Sequence, residues 1–161
     1  MRLWLAAVVT TISVVAGVGT VAIAGGEGST VTRGTFASVP GHPDFGITGT
    51  ARMVRTSSDQ TLVHAHLEGL EPGQTYPAHV HNAPCESGGG GHYQNEVGGA
   101  AAPPNELWLT STKTASGIIA NQSGRGNGKG KADWLARPEA QSIVVHYYAD
   151  TSIRVACAQL S

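Results

Sequence analysis

The stretch Leu62-Val63-His64-Ala65-His66-Leu67-Glu68 alternates apolar and polar side chains with a period of two. Successive side chains of a β-strand point to opposite faces, so this alternation predicts a strand that is buried on one side and solvated on the other. Val63, Ala65 and Leu67 are expected on the core face, and the polar residues among them on the outer face. The pattern favours extended structure over helix.

The rest of the chain supports an all-β fold, because short extended runs follow one another and none shows helical periodicity. Turn residues separate the runs, as in Glu71-Pro72-Gly73-Gln74, where proline presets φ and glycine can take a positive φ. Residues 83–105 are predicted to form a functional loop, since they are too long for a hairpin turn. The glycine-rich, basic segment 124–130 is predicted to be a solvated turn. The predicted strands are 30–38, 46–56, 60–68, 78–82, 106–112, 115–121, 132–136, 142–148 and 152–160.

The N-terminus has the pattern of an export signal. Met1-Arg2 is followed by an uncharged run to Ala24 that ends in Ala22-Ile23-Ala24, the small-residue motif of a cleavage site. The alternative is an uncleaved membrane anchor, since the run is long enough to span a bilayer as a helix. We therefore predict a signal peptide over residues 1–24, a linker over 25–29, one domain over 30–161, and a secreted or extracytoplasmic location.

The charge of the exported part excludes some partners. Without residues 1–24 the chain has nine Lys and Arg residues against eleven Asp and Glu residues. A formal net charge of −2 predicts no particular affinity for nucleic acid or for a membrane surface. Membrane association is expected only if the N-terminal segment stays uncleaved.

Two histidines at strand spacing, His79 and His81, are the strongest chemical feature, because both imidazoles of an H-x-H strand point the same way. The histidines of an isolated pair are often only polar residues on the protein surface. Here His92 and His146 follow in the sequence, and together the four make a candidate metal site. A ligand set of imidazoles without thiolate favours a copper centre over a structural zinc site.

Three further histidines are interpreted differently. His64 and His66 form a second H-x-H, but their companions on the outer face are polar, so we interpret them as surface residues, with adventitious metal binding as the alternative. His42 lies in Gly41-His42-Pro43 and is predicted to be a loop residue without a partner.

Cys85 and Cys157 are the only cysteines of the chain. An exported protein meets an oxidising environment, in which paired thiols become a disulfide. The alternative is a thiolate ligand in a blue-copper site, which requires a free cysteine beside histidines.

The ordered set of motifs resembles the copper/zinc superoxide dismutases over roughly residues 60–160. The resemblance implies a Greek-key β-barrel or flattened sandwich of about eight strands. It is carried by Gly69-Leu70-Glu71-Pro72-Gly73, His79-Val80-His81, Cys85, Gly91-His92-Tyr93, Val144-Val145-His146 and Arg154-Val155-Ala156-Cys157.

The resemblance also implies roles for individual residues. His79, His81 and His146 match three copper ligands, and His92 matches a fourth, which bridges to zinc in the two-metal enzymes. Arg154 matches the arginine that attracts the superoxide anion. Cys85 and Cys157 match the disulfide within the subunit.

The sequence departs from the two-metal enzymes at the zinc site. No histidine lies between His92 and His146, and the intervening loop offers only Asn95, Glu96, Asn105 and Glu106. Zinc is therefore not expected. The short interval between His146 and Arg154 leaves no room for a long electrostatic loop. Both losses resemble the copper-only members of the family, in which a glutamate contacts the former bridging histidine, and Glu106 is the candidate for it.

The sequence thus predicts a secreted copper-dependent dismutase that converts the superoxide anion into O₂ and H₂O₂. The first alternative is a copper-binding or copper-delivery protein on the same scaffold, and the second is a purely structural domain. Arg154 favours the dismutase, because a carrier has no use for a cation that guides a substrate, although Arg154 could instead be an ordinary surface residue of a strand. The sequence does not predict an oligomeric state.

Overall fold

The computed structural model describes residues 28–161. The predicted signal peptide, residues 1–24, and the first part of the predicted linker lie outside the described residues. Between residues 28 and 161, no helix is both long and apolar enough to cross a membrane.

The described residues form nine β-strands and one short 3-10 turn, with no α-helix among them, so the predicted all-β class is confirmed. The 3-10 turn covers Cys85–Ser87. The strands are β1 (Thr30–Ala37), β2 (Thr48–Arg55), β3 (Thr61–Glu68), β4 (Thr75–Tyr76), β5 (Ala78–His81), β6 (Ile118–Ile119), β7 (Gly126–Ala132), β8 (Ser142–His146) and β9 (Arg154–Gln159).

Seven strands form one antiparallel sheet in the order β5-β8-β9-β1-β2-β3-β7, while β4 and β6 form a separate pair. Residues 106–110, the closing segment, lie between the two ends of the large sheet. Trp108 bridges to His79 of β5, and Thr110 bridges to Lys129 of β7. The N–H of Leu109 also donates to the carbonyl of Ala78 over 2.8 Å. The sheet is therefore a nearly closed barrel of about eight extended segments, as predicted.

The connections have Greek-key character. The chain passes from β3 to β5 without pairing the two, because β7 and the closing segment lie between them. It then passes from β7 to β8 across the closing segment and β5. These crossings bring β5, β8 and the closing segment together, although they are far apart in sequence.

The core lies inside the barrel, as the alternation of β3 predicts. Val63, Ala65 and Leu67 are 0%, 4% and 0% exposed. They pack in one cluster with Met53 of β2 and Ile118 of β6. Burial of an aliphatic side chain of this size stabilises a fold by about 1.5–3 kcal/mol, so this face of β3 contributes strongly to stability.

The prediction for residues 124–130 is wrong, because Gly126–Ala132 is strand β7 and pairs with β3 along its length. Alternate glycines of β7 face inward, where there is no space for a side chain. A Cβ atom at Gly126 or Gly128 would lie 2.6 Å from Ile118, and one at Gly130 would lie 2.5 Å from the carbonyl oxygen of Trp108. Glycine here permits close packing rather than flexibility.

Three other predicted strands are shorter than expected. The segment 115–121 is strand only at Ile118–Ile119, and 106–112 pairs only through single bridges. The segment 132–136 contributes only its first residue, at the end of β7. Beyond it, the side-chain oxygen of Thr61 donates to the carbonyl of Trp134 and accepts from the N–H of Ala136, so a side chain replaces the pairing of a sheet there.

Candidate metal centre

Adjacent strands position three of the four predicted histidines. His79 and His81 lie on β5, which pairs with β8, and His146 ends β8. The register of β8 against β9 shifts between Val145 and His146, and such an irregularity re-aims a side chain. The loop after β5 supplies His92, which forms a bridge with His81.

The four imidazoles form one compact group. Each ring offers one nitrogen, and these four nitrogens all lie within 4.8 Å of one another. Nε2 of His81 lies 3.3 Å from Nε2 of His146. His79, His81 and His146 are buried, whereas His92 is partly exposed. The predicted grouping of His79, His81, His92 and His146 into a possible metal site is confirmed.

Hydrogen bonds to backbone carbonyls determine which ring nitrogen of His81 and of His146 remains free to bind a metal. Nδ1 of His81 lies 3.3 Å from the carbonyl of Gly90, and Nδ1 of His146 lies 2.7 Å from the carbonyl of Thr151. A carbonyl only accepts, so each Nδ1 is the donor and carries the hydrogen. Each Nε2 therefore keeps its lone pair and can coordinate a metal.

His79 shows the clearest sign that the site fits a metal. Its Nδ1 is buried and has no hydrogen-bond partner within residues 28–161. A buried polar atom without a partner costs about 1–3 kcal/mol, which favours a site in which the atom has a ligand. A metal ion held by four imidazole nitrogens would satisfy it.

The protonation of the histidines also suits metal binding. Burial lowers the pKa of His79 to about 2 and that of His81 to about 3, and the neighbouring histidines add to both shifts. Burial likewise lowers the pKa of His146. Because a metal binds the neutral imidazole, these rings need lose no proton at neutral pH before they coordinate.

Glu106 lies against the fourth histidine. It is 4% exposed, and its Oε2 accepts hydrogen bonds from Nδ1 of His92 over 2.7 Å and from Nε1 of Trp108 over 2.8 Å. Burial raises the pKa of Glu106, but these hydrogen bonds outweigh it and the net pKa is lowered. The ionised carboxylate thus fixes the ring of His92 with Nε2 free for coordination.

Sequence reasoning missed Trp108 and Gln94, which both donate to Glu106. The ring of Trp108 also lies 5.0 Å from that of His79. A usable signal existed for the tryptophan, because residues two apart on an extended segment point to the same side, as Glu106 and Trp108 do. The local sequence carried no such signal for Gln94.

Arg154 begins β9 and reaches towards the histidines through the glycine loop. Its guanidinium donates to the carbonyl of Gly88 and, over 2.8 Å, to the carbonyl of Gly90, which also accepts from His81. Within residues 28–161, no carboxylate lies within 4.0 Å of this guanidinium. Its charge is therefore left without an ion pair beside the centre.

The prediction that His42 has no partner is wrong. Its Nδ1 accepts the backbone N–H of Arg154 over 3.2 Å. A loop that is distant in sequence thus supports the start of β9, which the local pattern around His42 could not show.

The loop between His81 and His92 requires glycine. Gly88, Gly89 and Gly90 have φ values of 76°, 92° and 69°, a backbone conformation that residues other than glycine rarely adopt. A Cβ atom at Gly89 would also lie 2.6 Å from Val144 and 3.5 Å from Nδ1 of His81. The glycines let the backbone approach the centre and present carbonyls to His81 and Arg154.

A disulfide joins Cys85 and Cys157, with their sulfur atoms 1.99 Å apart, so the predicted bridge is confirmed. Neither cysteine is a free thiol, which contradicts the alternative of a blue-copper thiolate. The bridge ties the loop after β5 to β9, three residues beyond Arg154. Its presence supports an oxidising, extracytoplasmic environment.

The second H-x-H pair stays apart from the centre. His64 and His66 lie on the outer face of β3, and the side chain of His66 is 44% exposed. Nδ1 of His66 lies 2.9 Å from the side-chain oxygen of Asn127. Among the described residues, neither histidine belongs to a group that could hold a metal ion.

Comparisons with known proteins add no assignment: no protein-family model matches the chain, and no curated protein matches it significantly.

Proposed function

We propose that this protein is an extracytoplasmic, copper-dependent superoxide dismutase, similar to the copper-only members of the copper/zinc superoxide dismutase family. One observation carries the proposal. The guanidinium of Arg154 has no ion-pair partner in the described chain, and the carbonyl of Gly90 holds it while also orienting His81. The centre therefore combines neutral ligands with a cation that can attract a small anion.

Copper is the metal that suits this donor set best. Four imidazole nitrogens, with no thiolate and no carboxylate among the ligands, favour copper, which binds nitrogen sites most tightly among the divalent first-row metals. His79, His81, His92 and His146 would hold the ion. Bound copper would supply one-electron chemistry, by which one superoxide is oxidised to O₂ and another takes up one electron and two protons to become H₂O₂.

The protein side chains have separate tasks in this reaction. Arg154 stays protonated and supplies an attractive field for the superoxide anion. His92 is the most exposed of the four histidines, with 31% of its side chain accessible. Glu106 holds the hydrogen on Nδ1 of His92, so Nε2 is the atom that can either hold the metal or, in exchange, take up a proton and pass it to the reduced product.

The alternative is a copper-binding or copper-delivery protein. The exposure of His92 favours it, because an accessible ligand lets a partner exchange the metal. A carrier gives no role to the uncompensated charge of Arg154, which is why we prefer the dismutase. A purely structural domain would leave Nδ1 of His79 buried without a partner.

The test is the rate of superoxide decay after pulse radiolysis, measured with the copper-loaded protein over a range of salt concentrations. We expect Arg154→Gln to lower the second-order rate about tenfold and to weaken its salt dependence, with copper content unchanged. Lys113→Gln removes the same charge from an exposed turn outside the centre and should change neither.

Each contrary result identifies an alternative. A wild-type protein that binds copper without accelerating superoxide decay would be a carrier. A wild-type protein that binds no copper would be a structural domain. Equal effects of the two substitutions would remove Arg154 from the mechanism.

A further inference from the structure

A row of basic side chains crosses the outer face of the barrel, on four neighbouring strands. The pairing register places Arg33 of β1 opposite Arg52 of β2, Arg52 opposite His64 of β3, and His64 opposite Lys129 of β7. We call these four residues the cation row. No single segment of the sequence contains it, because each strand contributes one member.

The row faces solvent in a shallow groove. The residues next to its members along the strands, such as Met53 and Val63, are buried in the core, so the row points outward. The groove has a volume of about 660 Å³ and is also lined by Thr35 and Thr50. Its lining residues include no aspartate and no glutamate.

The cations of the row have no counter-ions in the described chain. Among residues 28–161, no carboxylate lies within 4.0 Å of Arg33, Arg52 or Lys129. Two other cations of the same face are paired: Arg125 with Glu68 over 3.2 Å, and Lys131 with Asp133 over 3.0 Å. The absence of ion pairs is therefore a property of the row and not of the whole face.

The row also carries an electrostatic cost. Like charges directly opposite each other on neighbouring strands destabilise a sheet. Burial lowers the pKa of His64, and the charges of Arg52 and Lys129 lower it further, so their fields reach across β3. The chain as a whole has a net charge of −1, so the concentration of cations here is local.

We propose that the cation row binds a linear polyanion, a phosphodiester-linked polyol polymer without bases, which lies in the groove across the strands. Neighbouring strands are about 4.8 Å apart, so the row presents cations at intervals of about 5–10 Å over about 14 Å. A polymer with one charge per phosphodiester linkage suits this spacing. Guanidinium groups bind phosphate through paired hydrogen bonds, and the hydroxyls of Thr35 and Thr50 can donate to further oxygens.

Two other kinds of anionic ligand, a single-stranded nucleic acid and a membrane surface, fit the groove less well. A single-stranded nucleic acid is held mainly by large aromatic side chains on which bases stack, and no phenylalanine, tyrosine or tryptophan lines the groove. A membrane surface is held by apolar side chains that enter the lipid boundary, and no leucine, isoleucine, valine, phenylalanine, tyrosine or tryptophan lines the groove. A polar, concave, cationic groove favours a single polymer chain.

The test is fluorescence anisotropy of a fluorescein-labelled poly(glycerol phosphate) chain titrated with the protein at several salt concentrations. We expect Arg33→Gln/Arg52→Gln/Lys129→Gln to weaken binding at least tenfold and to reduce the slope of log affinity against log salt by about 2. The matched control is Lys113→Gln/Arg125→Gln/Lys131→Gln, which removes three charges outside the row and should change affinity less than about twofold.

Folding is checked on the same variants. Removing like charges should leave the melting temperature of the triple variant unchanged or raise it. Arg52→Gln alone provides a milder second variant and should show a smaller loss of binding in the same direction.

Four results would overturn the proposal. They are no binding by the wild-type protein, equal loss in the row variant and its control, tighter binding to vesicles of anionic phospholipid than to the polymer, and binding to heparin without binding to the polymer. The last two would assign the row to a lipid surface or to a sulfated glycan instead.

Discussion

At the scale of single residues, the centre is built from nitrogen atoms with assigned tasks. Nδ1 of His81 and Nδ1 of His146 donate to backbone carbonyls, and Nδ1 of His92 donates to Glu106. The Nδ1 of His79 alone is buried without a partner in the described chain. Partners behind a ligand hold its orientation and basicity, so they contribute to metal affinity without touching the metal.

Glu106→Gln tests this contribution. Glutamine keeps the volume of the side chain but removes the charge that favours the Nδ1 hydrogen of His92. We expect copper affinity to fall 10- to 100-fold in a competition titration, as for other residues that support ligands. Glu96→Gln is the control, because only its backbone takes part in hydrogen bonds. Unchanged copper affinity in Glu106→Gln would show that the glutamate is an ordinary residue of the closing segment.

The buried histidines make the stability of the metal-free protein depend on pH. Burial lowers the pKa of His79 to about 2 and of His81 to about 3, whereas an unfolded histidine titrates near pH 6.5. Between these values the unfolded chain binds protons that the folded protein does not, so the free energy of unfolding must fall as the pH falls. Each buried histidine contributes up to about 1.4 kcal/mol per pH unit.

Urea unfolding of the metal-free protein between about pH 7 and about pH 4 measures this slope. His81→Gln should flatten the profile, and His66→Gln, which replaces a half-exposed histidine, should leave it as in the wild type. A free energy of unfolding that does not change with pH in the wild type would contradict the assignment of neutral, buried rings.

At the scale of elements, the loop after β5 contacts both the candidate metal ligand His81 and the guanidinium of Arg154. Its carbonyls at Gly88 and Gly90 accept from Arg154, and the carbonyl of Gly90 also accepts from His81. One short glycine segment therefore positions two groups that different strands provide. The disulfide holds the start of this loop against β9.

Gly89→Ala is expected to disturb this loop. Its positive φ makes alanine unfavourable, and the new Cβ atom would also meet Val144 at 2.6 Å. We expect a loss of about 1–3 kcal/mol in the free energy of unfolding, together with weaker copper binding. Gly98→Ala is a matched control, since φ is 81° there and no atom lies within 4 Å of the added Cβ.

The comparison of Gly89→Ala with Gly98→Ala separates the cost of a positive φ from the cost of the close contact with Val144. Gly98→Ala should lose only the energy of the unfavourable φ and should keep full copper affinity. Equal stability and equal copper affinity in both variants would mean that the loop yields and that its packing against Val144 is not important.

At the scale of the whole molecule, the disulfide and the barrel stabilise the same region. Cys85 and Cys157 are 72 residues apart, so the bridge closes a long covalent loop that runs from the segment after β5 to β9. Closing a loop of this length restricts the unfolded chain and is expected to stabilise the fold by about 4 kcal/mol.

Cys85→Ser/Cys157→Ser tests this value by chemical unfolding against the oxidised wild type. We expect a loss of about 4 kcal/mol and, because the loop is released from β9, weaker copper binding. The wild type treated with reductant should match the variant. Full stability without the bridge would show that the barrel alone holds the loop in place.

Much of the fold and part of the site could be predicted from the sequence. The alternation along β3 predicted its buried face, because that geometry is a property of one strand. The period of two likewise predicted that His79 and His81 share a side. The pairing of Cys85 with Cys157 followed from there being no other cysteine in a chain that the sequence predicts to be exported. The family resemblance, rather than any local pattern, indicated the contact of Glu106 with His92.

Other features were decided only by the tertiary structure. Gly126, Gly128 and Gly130 are typical of a turn in sequence, yet they lie in a strand because Ile118 and the closing segment occupy the space that side chains would need. Trp108 lies against His79 only because the closing segment pairs with β5. The cation row exists only in the register of four strands. Local sequence determines which way a side chain points along its own strand, whereas long-range pairing determines which strand lies opposite.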